Sequence, residues 1–127
     1  MIIIDSSAWI EFFRRTESPT AVRVRHALRD GFATCDPVRL EVLAGARDEK
    51  HLSELRRLLA RGQDVPVGPF QYEEAASFYR QCRRQGRTVR KMMDCLIAAA
   101  AVSVDAAVLH RDTDFDALAA CTALRSA

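Results

Sequence analysis

The segment KMMDCLIAAAAVSVDAAVL, residues 91–109, decides the fold of this chain. Its first part is nearly all apolar, which predicts a central helix over Lys91–Val104 that is buried on every side. The short apolar run Ala106–Leu109 is typical of a buried strand. Asp94 interrupts the helix, and a buried charge costs several kcal/mol unless a partner compensates it. The helix macrodipole supplies only ~1 kcal/mol, so Asp94 needs a cationic partner.

The rest of the chain alternates in the same way between short apolar runs and longer helical patterns. Strands are predicted at Met1–Ile4, Phe32–Cys35, Val65–Val67, Ala106–Leu109 and Thr122–Arg125. Further helices are predicted from a cap at Ser6 or Ser7 to about Arg15, after Ser18-Pro19 as far as Asp30-Gly31, from Asp36 onward, and over Asp48–Arg61, Tyr72–Gln85 and Phe115–Ala120. This alternation indicates an α/β fold, a parallel sheet with helices on both faces. We expect residues 1–127 to form one domain.

Five carboxylates lie where apolar elements start, end or are interrupted: Asp5, Glu41, Asp94, Asp112 and Asp114. Asp5 follows the first strand, and Asp112 and Asp114 follow the strand Ala106–Leu109. Ligands of parallel sheets bind beyond the carboxyl ends of the strands, so we expect these acids on one rim. Carboxylates that meet there would repel each other unless a hard divalent cation lay between them. A Mg²⁺ or Mn²⁺ site is the simplest interpretation.

Each carboxylate also has a purely structural explanation. Asp5 is placed to cap the first helix, and Glu41 would be a surface residue of an amphipathic helix, although it lies at least at the edge of the apolar face. Lys91 or Arg90 is an alternative partner for Asp94, although a metal ion is the better candidate. Turn or helix-cap positions would account for the last acids, Asp112, Asp114 and Asp116.

Arginine supplies 17 of the 19 basic residues, although the net charge is only +2. Arginine makes planar, bidentate contacts with phosphate, so such a surface suits an anionic partner. One cluster leads toward Asp94: Arg80, Arg83, Arg84, Arg87, Arg90 and Lys91. Positive charge beside acidic residues would attract a phosphate backbone that the acids alone repel. The alternative is a solvated helix end where the macrodipole favours arginine.

Cysteine spacing and hydropathy exclude several classes of protein. The four cysteines, Cys35, Cys82, Cys95 and Cys121, form no Cys-x-x-Cys pair, so we expect neither a zinc site nor a disulfide framework. The start of the chain lacks the basic region of a signal peptide. The longest apolar run, Cys95–Val102, is too short to span a bilayer. We expect a soluble, cytoplasmic protein without membrane association.

Four acidic motifs resemble those of a known family. They are IDSSAWI at residues 4–10, EVLAG at 41–45, DCLIAA at 94–99 and HRDTDF at 110–115. In this order they resemble the motifs of PIN-domain ribonucleases, especially the VapC toxins of bacterial toxin–antitoxin pairs. Each motif alone is common, but together they cover nearly the whole chain. Ser6 stands where threonine is common and Cys95 follows the third acid, and neither change removes a ligand.

The resemblance implies a small parallel-sheet, PIN-like domain and an endoribonuclease that acts as a toxin. In our assignment Asp5, Asp94 and Asp112 form the inner metal-binding set for Mg²⁺ or Mn²⁺. Glu41 and Asp114 would hold water molecules or a second ion, and a metal-activated water would attack the phosphodiester in line. His110 is expected to be structural and to point away from the rim.

The resemblance also implies partners. RNA would contact the candidate RNA-binding residues, Arg83, Arg84, Arg87 and Arg90. A VapB-type antitoxin would bind beside the site, and the protein would form a homodimer. Some of the aromatic residues Trp9, Phe12 and Phe13 are expected in the core. The rest, with the leucine face of residues 48–61, are candidates for a groove that receives an antitoxin helix.

Three alternatives stay open. A catalytically silent RNA- or protein-binding PIN-like module would keep the fold with broken acids, whereas this chain retains every acid. A receiver-like phosphoryl-transfer domain needs an aspartate at a mid-chain strand end, and the only candidate, Asp64, is expected to precede Val65–Val67 rather than to end a strand. A nuclease that acts on DNA would carry the same acids.

Overall fold

The computed structural model describes residues 1–127 and contains a five-stranded parallel sheet in the order β3-β2-β1-β4-β5. The strands are β1 (Ile2–Ile4), β2 (Ala33–Thr34), β3 (Gln63–Asp64), β4 (Ala107–Leu109) and β5 (Arg125–Ser126). The helices are α1 (Ser6–Phe13), α2 (Pro19–Asp30), α3 (Asp36–Ala44), α4 (Glu49–Leu59), α5 (Pro69–Arg84), α6 (Met92–Ser103) and α7 (Thr113–Cys121). The predicted α/β architecture is confirmed.

The helices form two packed groups, which meet where α3 contacts α6. Helix α1 packs against α2 and α3, and α3 packs against α4. Helices α5, α6 and α7 all pack against one another. Every residue from Asp94 to Ala101 is buried, as the apolar sequence of α6 predicts. None of the seven helices combines the length and the hydropathy that a bilayer span requires.

The register of the two central strands positions the acidic rim. Ile2 pairs with Ala107 and Ile4 pairs with Leu109, so β1 and β4 end at the same level. The backbone N–H of Asp5 then donates to the carbonyl of Leu109 at 2.9 Å. This bond ties the start of α1 to the end of β4, which brings two acidic segments together that are about a hundred residues apart in sequence.

The edge strand β3 differs from the prediction. It covers Gln63–Asp64 rather than Val65–Val67. The N–H of Val65 donates the last bond of the ladder to the carbonyl of Thr34, and Pro66 has no N–H to continue it. Asp64 therefore does end a strand, contrary to the sequence argument against a receiver-like domain. Its side chain is exposed and paired at 3.1 Å with Arg39, which also pairs with Asp36, and it joins none of the five candidate acids.

Other element ends shift for local reasons. Asp5, not Ser6 or Ser7, caps α1, and the helix ends at Phe13 rather than near Arg15. Helix α5 starts at Pro69, because the side chain of Gln71 accepts from the N–H of Gly68 at 2.8 Å. The last strand is shorter and later than predicted, since the Thr122 hydroxyl donates to Leu118 at the end of α7.

Candidate active site

The structure brings all five predicted carboxylates together at the rim. Ligand atoms of Asp5, Glu41 and Asp94 lie within 4.8 Å of one another, and so do those of Asp94, Asp112 and Asp114. Asp94 belongs to both groups because α6 starts beneath the rim. The two groups therefore form one acidic centre around Asp94.

Asp5 divides its two oxygens between a helix cap and the centre. Its Oδ2 accepts from the N–H of Ser7 at 3.0 Å and from the Ser7 hydroxyl at 2.5 Å. The Ser7 Oγ accepts in turn from the backbone N–H of Arg111 at 2.9 Å. The Oδ1 of Asp5 is buried and has no hydrogen-bond partner. Ser7 thus fixes the orientation of the Asp5 carboxylate and leaves Oδ1 without a partner.

Asp94 is the least compensated group. It is fully buried, and neither of its carboxylate oxygens accepts a hydrogen bond. The Nζ of Lys91 stands 3.7 Å from its Oδ2. Burial, followed by contact with the carboxyl group of Asp114, raises the pKa of Asp94 to about 8 against the partial opposition of Lys91. Without a closer cation Asp94 keeps its proton near neutral pH.

Asp112 and Asp114 are better supplied with donors. Asp112 caps α7 through Oδ1 and accepts from Lys91 Nζ at 3.0 Å through Oδ2. Asp114 accepts from the N–H and Nε of Arg90, both at 3.2 Å, and from the N–H of Lys91 at 3.1 Å. Burial raises the pKa of both carboxyl groups, but these hydrogen bonds outweigh it and hold the pKa of Asp112 and of Asp114 below the usual range. Asp114 therefore holds the start of α6 in place.

Glu41 is half-buried on α3 and faces Asp5 across the centre. Its Oε1 accepts from the Ser6 hydroxyl at 3.3 Å. Burial and the charge of Asp5 raise its pKa. A group with this exposure can exchange protons with solvent while it stays within reach of the other acids.

The oxygen donors suit a hard divalent cation. The free Oδ1 of Asp5 and both oxygens of Asp94 are buried polar atoms that lack partners, and such atoms are costly unless something binds them. Mg²⁺ and Mn²⁺ prefer carboxylate oxygen and water as ligands. The residues present therefore fit such an ion.

His110 lies beside the centre and contributes no ligand to it. Its ring packs against Phe115 at 5.1 Å between centroids, and its Nε2 is 2.9 Å from the hydroxyl of Ser126. Its Nδ1 accepts from the N–H of Asp112 at 3.2 Å. These contacts give His110 a structural place that braces the loop after β4.

The arginine cluster divides in two. Arg83, Arg84 and Arg87 are exposed on the end of α5 and the turn that follows, with Arg83 over the ring of Tyr79 at 5.7 Å. Arg90 instead pairs with Asp112 and Asp114, both at 3.2 Å. Arg90 is exposed as well, but its guanidinium belongs to the acidic centre in this state.

Only part of the predicted antitoxin groove is open. Trp9 is fully buried, stacked on Phe13 and packed edge-on against Phe32. Leu55 and Leu59, on the leucine face of α4, are buried in the core. The open groove at this place, about 580 Å³, is lined instead by Phe12, Phe13 and mostly polar residues such as Arg47, His51 and Glu54.

The sequence analysis did not predict that Ser7 orients the carboxylate of Asp5. The signal was the Ser6-Ser7 pair directly after Asp5, since both hydroxyls reach a site carboxylate. It treated Lys91 and Arg90 as alternatives to a metal, whereas both contact the acids at once.

Comparisons with known proteins agree with this geometry. The PIN domain model matches residues 2–120. Ribonuclease VapC11 of Mycobacterium tuberculosis and VapC ribonuclease Mb1587 of Mycobacterium bovis are each 44% identical over 131 residues, covering 100% of this chain and 98% of the relative. The crystal structure of Mycobacterium tuberculosis VapC20, described as a sarcin-ricin loop cleaving toxin, has a TM-score of 0.72 at 18% identity and covers 98% of this chain and 99% of its own. The resemblance seen in the four motifs is confirmed, and the chain belongs to the PIN-domain family, in its VapC ribonuclease branch.

Proposed function

We propose that residues 1–127 act as one domain, a metal-dependent endoribonuclease that serves as the toxin of a toxin–antitoxin pair. One observation carries the proposal: Asp5 and Asp94 present buried, unpartnered oxygens at a parallel-sheet rim, beside Asp112. The full-length similarity to proteins named VapC ribonucleases supports the same activity. The proposed target, RNA, favours a cytoplasmic location.

In this proposal Asp5, Asp94 and Asp112 hold a Mg²⁺ or Mn²⁺ ion. When bound, the ion would stabilise charge on the phosphate oxygens and lower the pKa of a water molecule, so that the water can lose a proton and act as the nucleophile. Glu41 orients that water and accepts a proton from it, since its carboxylate is half-buried and has a raised pKa. Asp114 positions the start of α6, and Ser7 keeps the free oxygen of Asp5 directed at the centre.

The substrate would approach over the exposed arginines. Arg83, Arg84 and Arg87 lie on the segment that leads from α5 to the acids, so they would contact the phosphate backbone of RNA. Arg90 would join them when its partner Asp112 binds metal. These contacts are to backbone, so they do not select a base.

Two surfaces would bind protein partners. The groove lined by Phe12, Phe13, Arg47, His51 and Glu54 borders α1 and would receive a segment of a VapB-type antitoxin. On another face, the exposed apolar side chains of Leu40, Tyr72 and Met92 surround a groove of about 550 Å³. An apolar patch of this kind suits the homodimer interface.

The test is cleavage of total RNA by purified protein, followed by mapping of the new ends. Cleavage should require Mg²⁺ or Mn²⁺, stop in EDTA and fall by orders of magnitude in Asp5→Asn. Asp30→Asn, an exposed aspartate paired only with its neighbour Arg29, is the matched control. Full activity of Asp5→Asn would refute the assignment. RNA binding without any cleavage would favour the silent module, and cleavage of DNA alone would redirect the proposal.

A further inference from the structure

Lys91 has an unusual place for a lysine in this chain. The sequence contains only two lysines, against 17 arginines. Lys50 lies exposed near the start of α4. Lys91 instead places its Nζ 3.0 Å from Oδ2 of Asp112 and 3.7 Å from Oδ2 of Asp94. Its ammonium therefore stands between two acids that belong to the proposed inner metal-binding set.

The backbone of Lys91 is anchored while its side chain keeps freedom to move. The N–H of Lys91 donates to Oδ2 of Asp114, and the N–H of Arg90 donates to Oδ1 of the same carboxylate. The Lys91 side chain is 47% exposed. A lysine head on a flexible stem can leave its partners without disturbing the fixed start of α6.

Arg90 and Lys91 engage different atoms. The guanidinium of Arg90 reaches Oδ1 of Asp112 and Oδ1 of Asp114. Lys91 takes Oδ2 of Asp112 and approaches Asp94, the group with no hydrogen-bond partner. Removal of Lys91 would therefore expose the Asp94–Asp112 pair, whereas Arg90 would continue to bind the outer side of the centre.

We propose that Lys91 is the built-in cation of the metal-free site, and that a divalent ion must displace its ammonium from Asp94 and Asp112 in order to bind. The inference rests on the proposed metal-dependent function. An ammonium and a divalent ion repel each other at this range, and both need oxygens of the same two carboxylates. Lys91 thus compensates the charge of Asp112 before metal binds and lowers the apparent metal affinity.

Direct titration with Mn²⁺ tests the competition without any activity measurement. Lys91→Gln removes the competing charge, so its Kd for Mn²⁺ should be lower than that of the parent by about fivefold. Its metal-free melting temperature should fall, and the rise on adding Mn²⁺ should be larger than in the parent. Lys50→Gln should match the parent, and Lys91→Arg, which keeps the charge, should not bind more tightly.

The unmodified protein offers a second measurement that does not depend on a variant folding. An amine-acylating reagent followed by mass spectrometry reports the reactivity of each lysine. Saturating Mn²⁺ should increase labelling of Lys91, which the ion releases, and leave Lys50 unchanged.

The outcomes separate the two proposals. Mn²⁺ binding to the parent with an unchanged or weaker affinity in Lys91→Gln would overturn the competition and leave the metal-dependent function standing. Labelling of Lys91 that does not respond to Mn²⁺ would overturn it equally. A parent protein that binds no Mn²⁺ would overturn the proposed function itself, and the competition with it.

Discussion

Replacing Asp94 with asparagine should make the metal-free protein more stable while it removes metal binding. The unfolded chain ionises this carboxyl near its ordinary pKa of 3.8, whereas burial and contact with Asp114 raise the pKa to about 8 in the folded chain. A carboxyl with a raised folded pKa destabilises the fold as pH rises through that window, because the unfolded state releases its proton first. Metal-free stability should therefore decline from about pH 4 to about pH 8.

The size of the effect follows from the same two values. A pH of about 7 is about 3 units above the pKa of Asp94 in the unfolded chain, and each unit is worth about 1.4 kcal/mol. The free energy of unfolding is therefore lower by about 4 kcal/mol than it would be if the carboxyl group never ionised. Asp94→Asn removes this loss and also supplies an amide N–H for the carboxylate of Asp114. We expect the free energy of unfolding to rise by about 1 to 4 kcal/mol, with 4 as the upper bound.

Urea unfolding in EDTA at several pH values provides the measurement. The parent should lose stability between about pH 5 and about pH 8, and Asp94→Asn should show a much flatter profile. Asp30→Asn, whose carboxylate is exposed, should follow the parent. A lower urea midpoint for Asp94→Asn at neutral pH, or Mn²⁺ binding equal to that of the parent, would refute the reasoning.

Three further predictions follow from the same geometry. Because metal binding must remove the proton of Asp94, the Kd for Mn²⁺ should fall by up to about tenfold per pH unit between about pH 6 and about pH 8; a constant Kd in titration calorimetry would contradict this. Arg83→Ala with Arg87→Ala, in an Asp94→Asn background that spares the RNA, should weaken RNA binding and reduce its slope against salt, whereas a slope equal to that of the background would show a merely solvated helix end. Ser7→Ala should raise the Kd for Mn²⁺ and lower the melting temperature, because Asp5 loses the 2.5 Å hydroxyl contact; normal Mn²⁺ affinity would limit Ser7 to a structural role.

The fold was predictable because its signals are local and repeated. The apolar runs Met1–Ile4 and Ala106–Leu109 contain the two central strands, and the continuous apolar pattern after Asp94 identifies the buried helix α6. The errors in the strands fall at the edges of the sheet, and the errors in the helices fall at helix ends. Strand β3 has no apolar residue, so its pairing with β2 depends on the neighbouring backbone rather than on its own sequence.

The members of the acidic centre were also predictable, since strand ends and a buried helix start define where they meet. Their individual states were not. Asp114 and Asp94 are both buried aspartates, yet one accepts three hydrogen bonds from residues 90 and 91 and the other accepts none. That difference depends on how the residues before α6 turn toward α7, which no local pattern in the sequence describes.

The two aspartates at the strand ends show why a compact chain can hold such a centre. Asp5 uses Oδ2 to cap α1 and leaves Oδ1 free, and Asp112 uses Oδ1 to cap α7 and directs Oδ2 to Lys91. Each cap stabilises its helix and also fixes the rotamer of the carboxylate, so the second oxygen is oriented before any ion arrives. Asp94 has no cap bond, and near neutral pH its buried, unpartnered carboxyl group keeps its proton until a cation binds. Rigid capped aspartates beside one uncompensated aspartate therefore combine a stable fold with a site that still has free energy to gain from binding.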